Sequence, residues 1–349
     1  MPIRRGGRSS VLPWVLGAAG LAIFAWVLSR IDYVAFLNAL ANANGGLVAL
    51  VPAGILVEQW LRAAKWRLLL LELGAARLAR VFAASLASFL ASHIVPVAGP
   101  PIVRSWLVSR SEGLPFPSVI TTIAVDRLVD GAAFVAVAVA VIVLIGMPQN
   151  VESLRTGLIA CAAGSAAVLV ALVALLAAVR RTVREGGAGA RRLVAWLPAR
   201  LRERAHAMLD PLARGAGWPR SPARAATIVL LAVGVKALAV AHLLWAGLAL
   251  GVSLPVSHYV LLMVLLGFVV ALARYTRIPG GFLLAAIFLL ELLGVDRERA
   301  LAMALIVQVS AIVSVTAAGA ASLAWFGAEL RELKALYANG SLPGAPPQR

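Results

Sequence analysis

Charged residues at helical spacing lie inside some of the most apolar stretches of this sequence. Asp126, Arg127 and Asp130 occur in "TTIAVDRLVD", at the beginning of a long apolar run. On a helix Asp126 and Asp130 share one face, and Arg127 is a neighbour of Asp130 because three residues separate them. Two interpretations stay open. The charges either pin the start of a membrane span at the interface, or they face a cavity and set its charge.

A second charged group, Glu58, Arg62 and Lys65, has spacings of four and three. Glu58 precedes Arg62 in the favourable orientation for an ion pair on a helix. Charges at mid-bilayer cost about 2.5–3.5 kcal/mol each on insertion scales, so they mark either function or a membrane boundary. We favour the boundary here, with long side chains snorkelling to the cytoplasmic interface. Trp60 and Trp66 suit an aromatic belt at that level.

The stretch "HIVPVAGPPIVRSW", residues 93–106, breaks an apolar segment with prolines and a glycine, among them Pro96 and Gly99. Because proline is tolerated in a first helical turn, we expect a new helix to start after the two consecutive prolines. Free N–H groups and the positive end of that helix would then point toward the break. With Arg104 they predict a site for a phosphate or carboxylate. His93 either donates or titrates there, or makes a structural hydrogen bond.

The second half of the chain has a comparable stretch, "RYTRIPGGF". Its Arg274 and Arg277 either supply a matching positive end or snorkel to the interface. Paired broken segments in two halves are typical of transport sites at a repeat interface, so a pseudo-repeat of two halves is one interpretation. Glu291, in "FLLELLG", either serves proton coupling or contributes to helix packing.

The composition indicates which elements position these residues. The 349-residue chain is 62% hydrophobic and 13% charged, and its mean hydropathy is +0.93. Apolar runs of about 20 residues cross ~30 Å of hydrocarbon as helices, and lipid requires every backbone group to be bonded internally. We therefore predict an all-α polytopic membrane protein. The net charge of +17 fits arginine-rich cytoplasmic loops rather than nucleic-acid binding.

The apolar runs predict about eight transmembrane helices and one re-entrant broken helix at residues 81–104. The predicted spans are 11–29, 47–68, 118–147, 157–179, 226–250, 256–273, 280–294 and 300–326. We expect a surface helix within residues 30–46. Arg104 and Arg110 return the re-entrant element to the cytoplasm under the positive-inside rule.

The predicted organisation is a single membrane domain over residues 1–326, followed by a cytoplasmic tail at 327–349. The loop at 180–224 divides the domain into two halves, carries eleven arginines, and includes an amphipathic helix on the membrane surface. Basic flanks place both termini in the cytoplasm.

Motifs for metal, nucleotide or thiol chemistry are missing from the sequence: it has no HExxH, no GxxxxGK[ST] and no CxxC. Cys161 is the single cysteine, which permits neither an internal disulfide nor a cysteine-based metal site. We therefore expect no cofactor, no metal and no enzymatic activity.

The stretches "LRAAKWRLLL", "HIVPVAGPPIVRSWLVSRSEG", "TTIAVDRLVD" and "RIPGGF…LLGVDRERALAMAL" resemble, in that order, the transmembrane region of lysylphosphatidylglycerol synthases. The resemblance covers roughly residues 11–326. Its most specific positions are Pro96, Gly99 and Arg104, with Asp126, Arg127 and Asp130 at their spacing. The resemblance implies a multi-pass protein of the bacterial cytoplasmic (inner) membrane that moves a lipid between leaflets or supports a lipid-modifying pathway.

The sequence departs from the family pattern at two places. It stops at residue 349, so we expect a stand-alone, flippase-like member without the soluble aminoacyl-transfer domain. The stretch after Pro279 reads "GGFLLAAIF", which lacks the acidic residue that usually follows in the family.

Lipid translocation is our leading expectation for function, with a phospholipid, hopanoid or polyprenol-linked lipid whose anionic headgroup meets Arg104 and Arg127. The other substrate-binding candidates are Asp126, Asp130, His93, Pro96, Gly99, Arg62 and Arg277. The alternative is a non-catalytic accessory or regulatory subunit that holds a membrane-bound biosynthetic enzyme through its basic loop. A membrane-embedded glycosyltransferase that uses Asp32 is a third hypothesis.

Overall fold

The structure is a computed structural model that describes residues 25–27, 29–94, 99–145, 154–184, 210–276, 280–327, 329, 331–332 and 335. Of residues 91–94, 145, 182, 184 and 272–276 only the backbone is described. Every regular element within these ranges is helical. Most of the predicted first span and of the amphipathic helix in the basic loop lies outside the described residues.

Ten α-helices with defined bounds follow one another in the described parts of the chain. They are α1 (Tyr33–Ala41), α2 (Gly45–Leu70), α3 (Leu78–Ile94), α4 (Pro100–Glu112), α5 (Phe116–Ala140), α6 (Arg155–Arg184), α7 (Pro222–Ala249), α8 (Val256–Thr276), α9 (Gly281–Leu292) and α10 (Arg297–Leu323). A π-helical segment, Val141–Ile145, extends α5, and a 3-10 turn, Ala324–Phe326, extends α10.

Five of these helices are long and apolar enough to cross a membrane: α2, α5, α6, α7 and α10. They coincide with the predicted spans at 47–68, 118–147, 157–179, 226–250 and 300–326, which confirms an all-α polytopic membrane protein. The shorter apolar helices are α3, α8 and α9. At 1.5 Å per residue α8 is about 32 Å long, whereas α3 at about 25 Å and α9 at about 18 Å are shorter than the hydrocarbon layer.

The chain divides into two compact units. The first consists of Met1–Val51, Ala138–Cys161 and Val240–Ser310, and the second of Pro52–Val137, Ala162–Ala239 and Ala311–Arg349. Each unit therefore combines three separate stretches of chain, and neither matches the division at the basic loop. The pseudo-repeat of two halves stays a prediction.

In the second unit α3 and α4 pack against each other as a helical hairpin. Arg80, near the start of α3, donates to the Ser111 carbonyl at 2.5 Å and lies 3.7 Å from the Glu112 carboxylate at the end of α4. The two helices are therefore antiparallel, with their outer ends together. They are about 25 Å and 20 Å long, too short to span ~30 Å. Two antiparallel helices of these lengths are compatible with the predicted re-entrant element at residues 81–104. Pro96 lies outside the described residues, and the re-entry into the membrane stays a prediction.

Prolines set where the hairpin turns. Gly99 is the N-cap of α4 with an extended ψ of 162°, and Pro100 and Pro101 occupy the first two helical positions. Proline disfavours the helical conformation in the residue before it, and its own fixed φ suits a first turn. Gly113 ends α4 at φ 68°, in the left-handed region, where glycine carries no Cβ penalty.

The hairpin lies in the hydrophobic core of the second unit. Val103, Leu107 and Val108 of α4 are fully buried, and they belong to the same cluster of apolar side chains as Trp66 of α2. α10 approaches α3 closely at Gly319, where an added Cβ would lie 2.9 Å from the Leu86 carbonyl oxygen. The face of α4 that carries Val103, Leu107 and Val108 is therefore interior, whereas Pro101 at its start is exposed.

In the first unit the expected surface helix is α1. The Asp32 carboxylate caps it by accepting hydrogen bonds from Val34 N at 2.9 Å and Ala35 N at 3.1 Å. The Asp32 N–H in turn donates to Glu298 at 3.3 Å. Asp32 thus has a structural role as a helix cap. Also in this unit, α8 packs against α9, which begins after Gly280 at φ 69°.

Candidate functional site

Six charged side chains of the second unit form a chain of ion pairs with alternating signs. Three come from α2, two from α5 and one from α4. In order they are Glu58, Arg62, Asp130, Lys65, Asp126 and Arg104. We refer to these six residues as the ion-pair chain. Its three positive and three negative charges balance.

Helical spacing explains why the two spans present matching faces. Residues four apart on a helix are neighbours, so Asp126 and Asp130 point the same way from α5. Arg62 and Lys65 do so from α2. Lys65 bonds Asp130, and its Nζ lies 3.1 Å from Asp126 Oδ1. Arg62 Nε donates to Glu58 Oε1 at 2.8 Å, whereas its Nη1 reaches Asp130 Oδ2 at 3.5 Å.

The centre of the ion-pair chain is dry. Lys65 is 0% exposed, Asp126 5% and Asp130 9%. Removing a charge from water costs several kcal/mol even after relaxation, so such groups persist only when they are paired. Lys65 meets that requirement with two carboxylates. The arrangement fixes α2 against α5, and at one end it holds Arg104 through a single ion-pair contact, to Asp126 at 3.5 Å.

Arg104 is the last residue of the ion-pair chain. Its Nη2 lies 3.5 Å from Asp126 Oδ2, and neither Nε nor Nη2 has a hydrogen-bond acceptor among the described residues, although both atoms are buried. The guanidinium carbon sits 4.6 Å from the centroid of the Trp66 ring. That ring is held in place because Trp66 Nε1 donates to Thr122 Oγ1 at 2.9 Å. Arg104 is therefore oriented by a cation–π contact and keeps two donors unused.

The start of α4 corrects one expectation from the sequence. Pro100 and Pro101 have no N–H, and the N–H groups of Ile102 and Val103 both donate to the Gly99 carbonyl, at 3.0 and 3.2 Å. The first turn therefore offers no free N–H group to an anion. What remains of the predicted anion site is the Arg104 side chain and the field of the helix end.

The structure brings together four of the predicted site residues: Arg62, Arg104, Asp126 and Asp130. Gly99 lies at the head of the helix that carries Arg104. Arg127 is exposed and forms no ion pair among the described residues, so it stands outside the ion-pair chain.

Three other predicted positions lie wholly or partly beyond what the structure describes. His93 is helical, but its side chain is outside the described set, and Pro96 and Arg277 are outside it altogether. Their proposed roles stay predictions.

Two expectations for α2 were wrong. Lys65 does not snorkel, because two carboxylates of the next long span bind it in the interior. Trp66 is not in an interfacial belt, because it is fully buried under Arg104. The sequence does hold a signal for this pairing: an acid–base–base face on one span and a two-acid face on the other. The sequence does not show which faces meet.

Glu291 was expected deep in an apolar helix. In the first unit its carboxylate accepts a hydrogen bond from Arg297 Nε at 2.6 Å, and both side chains are about a third exposed, at 32% and 35%. The described residues include no group of three or more His, Cys, Asp or Glu side chains arranged to hold a metal ion.

Comparison with known families matches residues 14–319 to the lysylphosphatidylglycerol synthase TM region. Searches of curated proteins and of solved structures gave no match. The matched segment covers most of the chain, including α2 to α9 and the whole ion-pair chain. It confirms the resemblance seen in the sequence and supports a membrane protein with a lipid-related role. The chain belongs to the lysylphosphatidylglycerol synthase TM-region family.

Proposed function

We propose that this protein binds the anionic headgroup of a membrane lipid at Arg104 and moves the lipid between the leaflets of a bacterial cytoplasmic membrane, without catalysing a chemical reaction. The observation that carries the proposal is the Arg104 guanidinium, whose buried Nε and Nη2 have no hydrogen-bond acceptor among the described residues. A buried donor without an acceptor costs roughly 1–3 kcal/mol. A phosphate oxygen would remove that cost.

The geometry of Arg104 favours a phosphate or carboxylate over a neutral headgroup. A guanidinium presents its donors in a planar fork that suits two oxygens of one anion. Trp66 covers one face of the guanidinium, so a ligand approaches its edge. Asp126, at 3.5 Å, balances the charge in the absence of ligand and is close enough to exchange with it.

The rest of the ion-pair chain keeps the neighbourhood of Arg104 polar inside the membrane. Counting back from Leu70 at 1.5 Å per residue, Lys65 lies about 8 Å and Glu58 about 18 Å from the end of α2. The charges of the ion-pair chain on α2 thus span about 10 Å along the helix, roughly a third of the ~30 Å hydrocarbon layer. A headgroup that follows this row of charges avoids much of the desolvation cost of crossing lipid.

The test is lipid movement in proteoliposomes that contain the purified full-length protein. Fluorescent phosphatidylglycerol, polyprenyl phosphate and a hopanoid lipid are compared with a monoglucosyl diacylglycerol as the neutral lipid, and membrane-impermeant quenching reports which leaflet holds the label. We expect movement of at least one phosphate-bearing lipid and none of the glucosyl diacylglycerol.

Arg104→Gln should lower both headgroup affinity and movement by at least tenfold, since a charge-assisted hydrogen bond contributes about 1.5–3 kcal/mol. Arg104→Lys should be intermediate, because it keeps the charge and loses the fork. Arg110→Gln is the matched control. Arg110 is on the same helix and is about half exposed, and it pairs with Glu332.

If wild type moves no lipid of any class, the translocation proposal is wrong. Retained lipid binding without movement would then favour the accessory-subunit alternative. If Arg104→Gln and Arg110→Gln behave alike while both fold, Arg104 is not the headgroup-binding residue.

A further inference from the structure

Lys236 lies at the midpoint of a membrane span. It is the fifteenth of 28 residues in α7, and Arg224 is the nearest charged residue before it on that helix. On insertion scales a lysine at the centre of a span costs about 2.5–3.5 kcal/mol. A charge kept at that depth therefore requires either a partner or a function.

The surroundings of Lys236 provide no direct counter-ion. Its Nζ lies 5.6 Å from the centroid of the Phe134 ring, and no carboxylate among the described residues lies within 4 Å of it. The charged groups that act on it from farther away are two acids, Asp130 and Glu58, and two bases, Arg62 and Lys65. These charges already balance within the ion-pair chain. The ammonium of Lys236 is thus one positive charge in excess.

Lys236 also lies in line with the ion-pair chain. Asp126, which faces Arg104, and Phe134, which faces Lys236, are two turns apart on α5. Eight residues at 1.5 Å correspond to about 12 Å along the helix axis. One excess cation thus lies close to mid-membrane, at the opposite end of the row of charges from Arg104. Arg104, Arg127 and Lys236 are the described cations around the ion-pair chain whose carboxylate contacts are long or lacking, and Arg127 differs from the other two because it is exposed.

We infer that Lys236 is a second binding point for a phosphate group, which receives the lipid headgroup after it leaves Arg104. An ammonium suits this step because it is a point charge with three rotatable donors, which holds a phosphate without fixing its orientation. The inference rests on the proposed function and adds a position halfway along the path.

Lys236→Gln should separate binding from movement. We expect phosphatidylglycerol to bind the variant within about threefold of wild-type affinity, because Arg104 is intact. Its movement across proteoliposomes should fall at least tenfold. Lys236→Arg should recover most of the rate. Arg299→Gln, which removes a positive charge from a side chain that is about half exposed, is the control for net charge and should move lipid like wild type.

The outcomes distinguish this inference from the proposed function. If wild type neither binds nor moves phosphatidylglycerol or the other phosphate lipids, both fail. If wild type moves lipid and Lys236→Gln moves it equally fast, only the role of Lys236 is wrong. If Lys236→Gln and Arg104→Gln lose phosphatidylglycerol affinity equally, the two residues form one shared site. The inference of two successive binding positions is then wrong.

A second measurement uses the native lysine. A water-soluble amine reagent is added to the protein in detergent micelles, and the modification of Lys236 is followed by peptide mass spectrometry relative to Lys334. Phosphatidylglycerol should slow modification of Lys236 severalfold, whereas a glycolipid without phosphate should not. If millimolar inorganic phosphate slows modification of Lys236 as much as phosphatidylglycerol does, the position binds free phosphate and not specifically the lipid. If Lys236 never reacts with the reagent, it is not accessible to a water-soluble group, which contradicts its proposed role in binding a phosphate.

Discussion

Two pairs of successive helices, α3 with α4 and α8 with α9, each pack together within one unit, and the charges around the two pairs differ. In the second unit, α3 and α4 form a hairpin, and α4 begins after Gly99 with two prolines. Arg104 comes five residues after Gly99. In the first unit, α8 and α9 pack together around a break that ends at Gly280. The described side chains of α8 and α9 include one Asp, Glu, Lys or Arg, namely Glu291, and it lies at the far end of α9.

Under the proposed function, a break alone does not make a binding site. Arg104 is the charge that α4 contributes, and the spans α2 and α5 supply the remaining charges of the ion-pair chain. Among the described residues Glu291 pairs only with Arg297, the first residue of α10, and both side chains are about a third exposed. Charges on the neighbouring spans thus distinguish the α3–α4 hairpin from the α8–α9 pair. Substitutions in both regions test that distinction.

Lys65→Met should have the largest effect on folding. It leaves Asp126 and Asp130 buried without their common counter-ion, and breaking a buried pair in this way typically costs 3–5 kcal/mol. The free energy of unfolding, measured by denaturant titration in detergent, should fall by about that amount. Adding Asp126→Asn and Asp130→Asn should recover much of the loss. A Lys65→Met protein as stable as wild type would contradict the dry interior of the ion-pair chain.

Gly319→Ala should have an intermediate effect on stability, because it pushes α10 away from α3. The new Cβ would lie 2.9 Å from the backbone oxygen of Leu86, and a backbone cannot turn aside as a side chain can. Overpacking of this kind typically costs about 1–3 kcal/mol, read as a lower thermal midpoint. Gly157→Ala is the control. Nothing lies within 4 Å of a Cβ there, so the higher helix propensity of alanine should leave stability unchanged or slightly raised.

Glu291→Gln should have the smallest effect. Partly exposed ion pairs contribute about 0–1 kcal/mol, so unfolding free energy should change by less than 1 kcal/mol. Lipid movement in proteoliposomes should match wild type. A large loss of movement with intact folding would mean that the second broken segment does depend on charge, and the contrast between the two segments would be wrong.

The sequence predicted five of the membrane spans well, because the length of an apolar run acts locally, and the start of α4 at its two prolines is local in the same way. It predicted the shared face of Asp126 and Asp130 for the same reason. The partner of that face was not predictable, because Lys65 lies 65 residues before Asp130 and periodicity does not tell which helix faces meet. Trp66 was misplaced likewise, since a tryptophan near a span end suits either an interface or a core. The first turn of α4 was expected to offer free N–H groups. That expectation was wrong because it did not allow for the two prolines, which have no N–H.

Those prolines bear on how headgroup selectivity can change. A helix start normally presents several backbone donors, and these are the same whatever side chains surround them. Here Pro100 and Pro101 remove two donors, and Gly99 accepts the next two. Under the proposed function, headgroup selectivity at this end of the path therefore rests on side chain 104 rather than on backbone shared by every variant. We expect a substitution at position 104 to change the class of lipid that is accepted while the backbone hydrogen bonds of α4 stay in place.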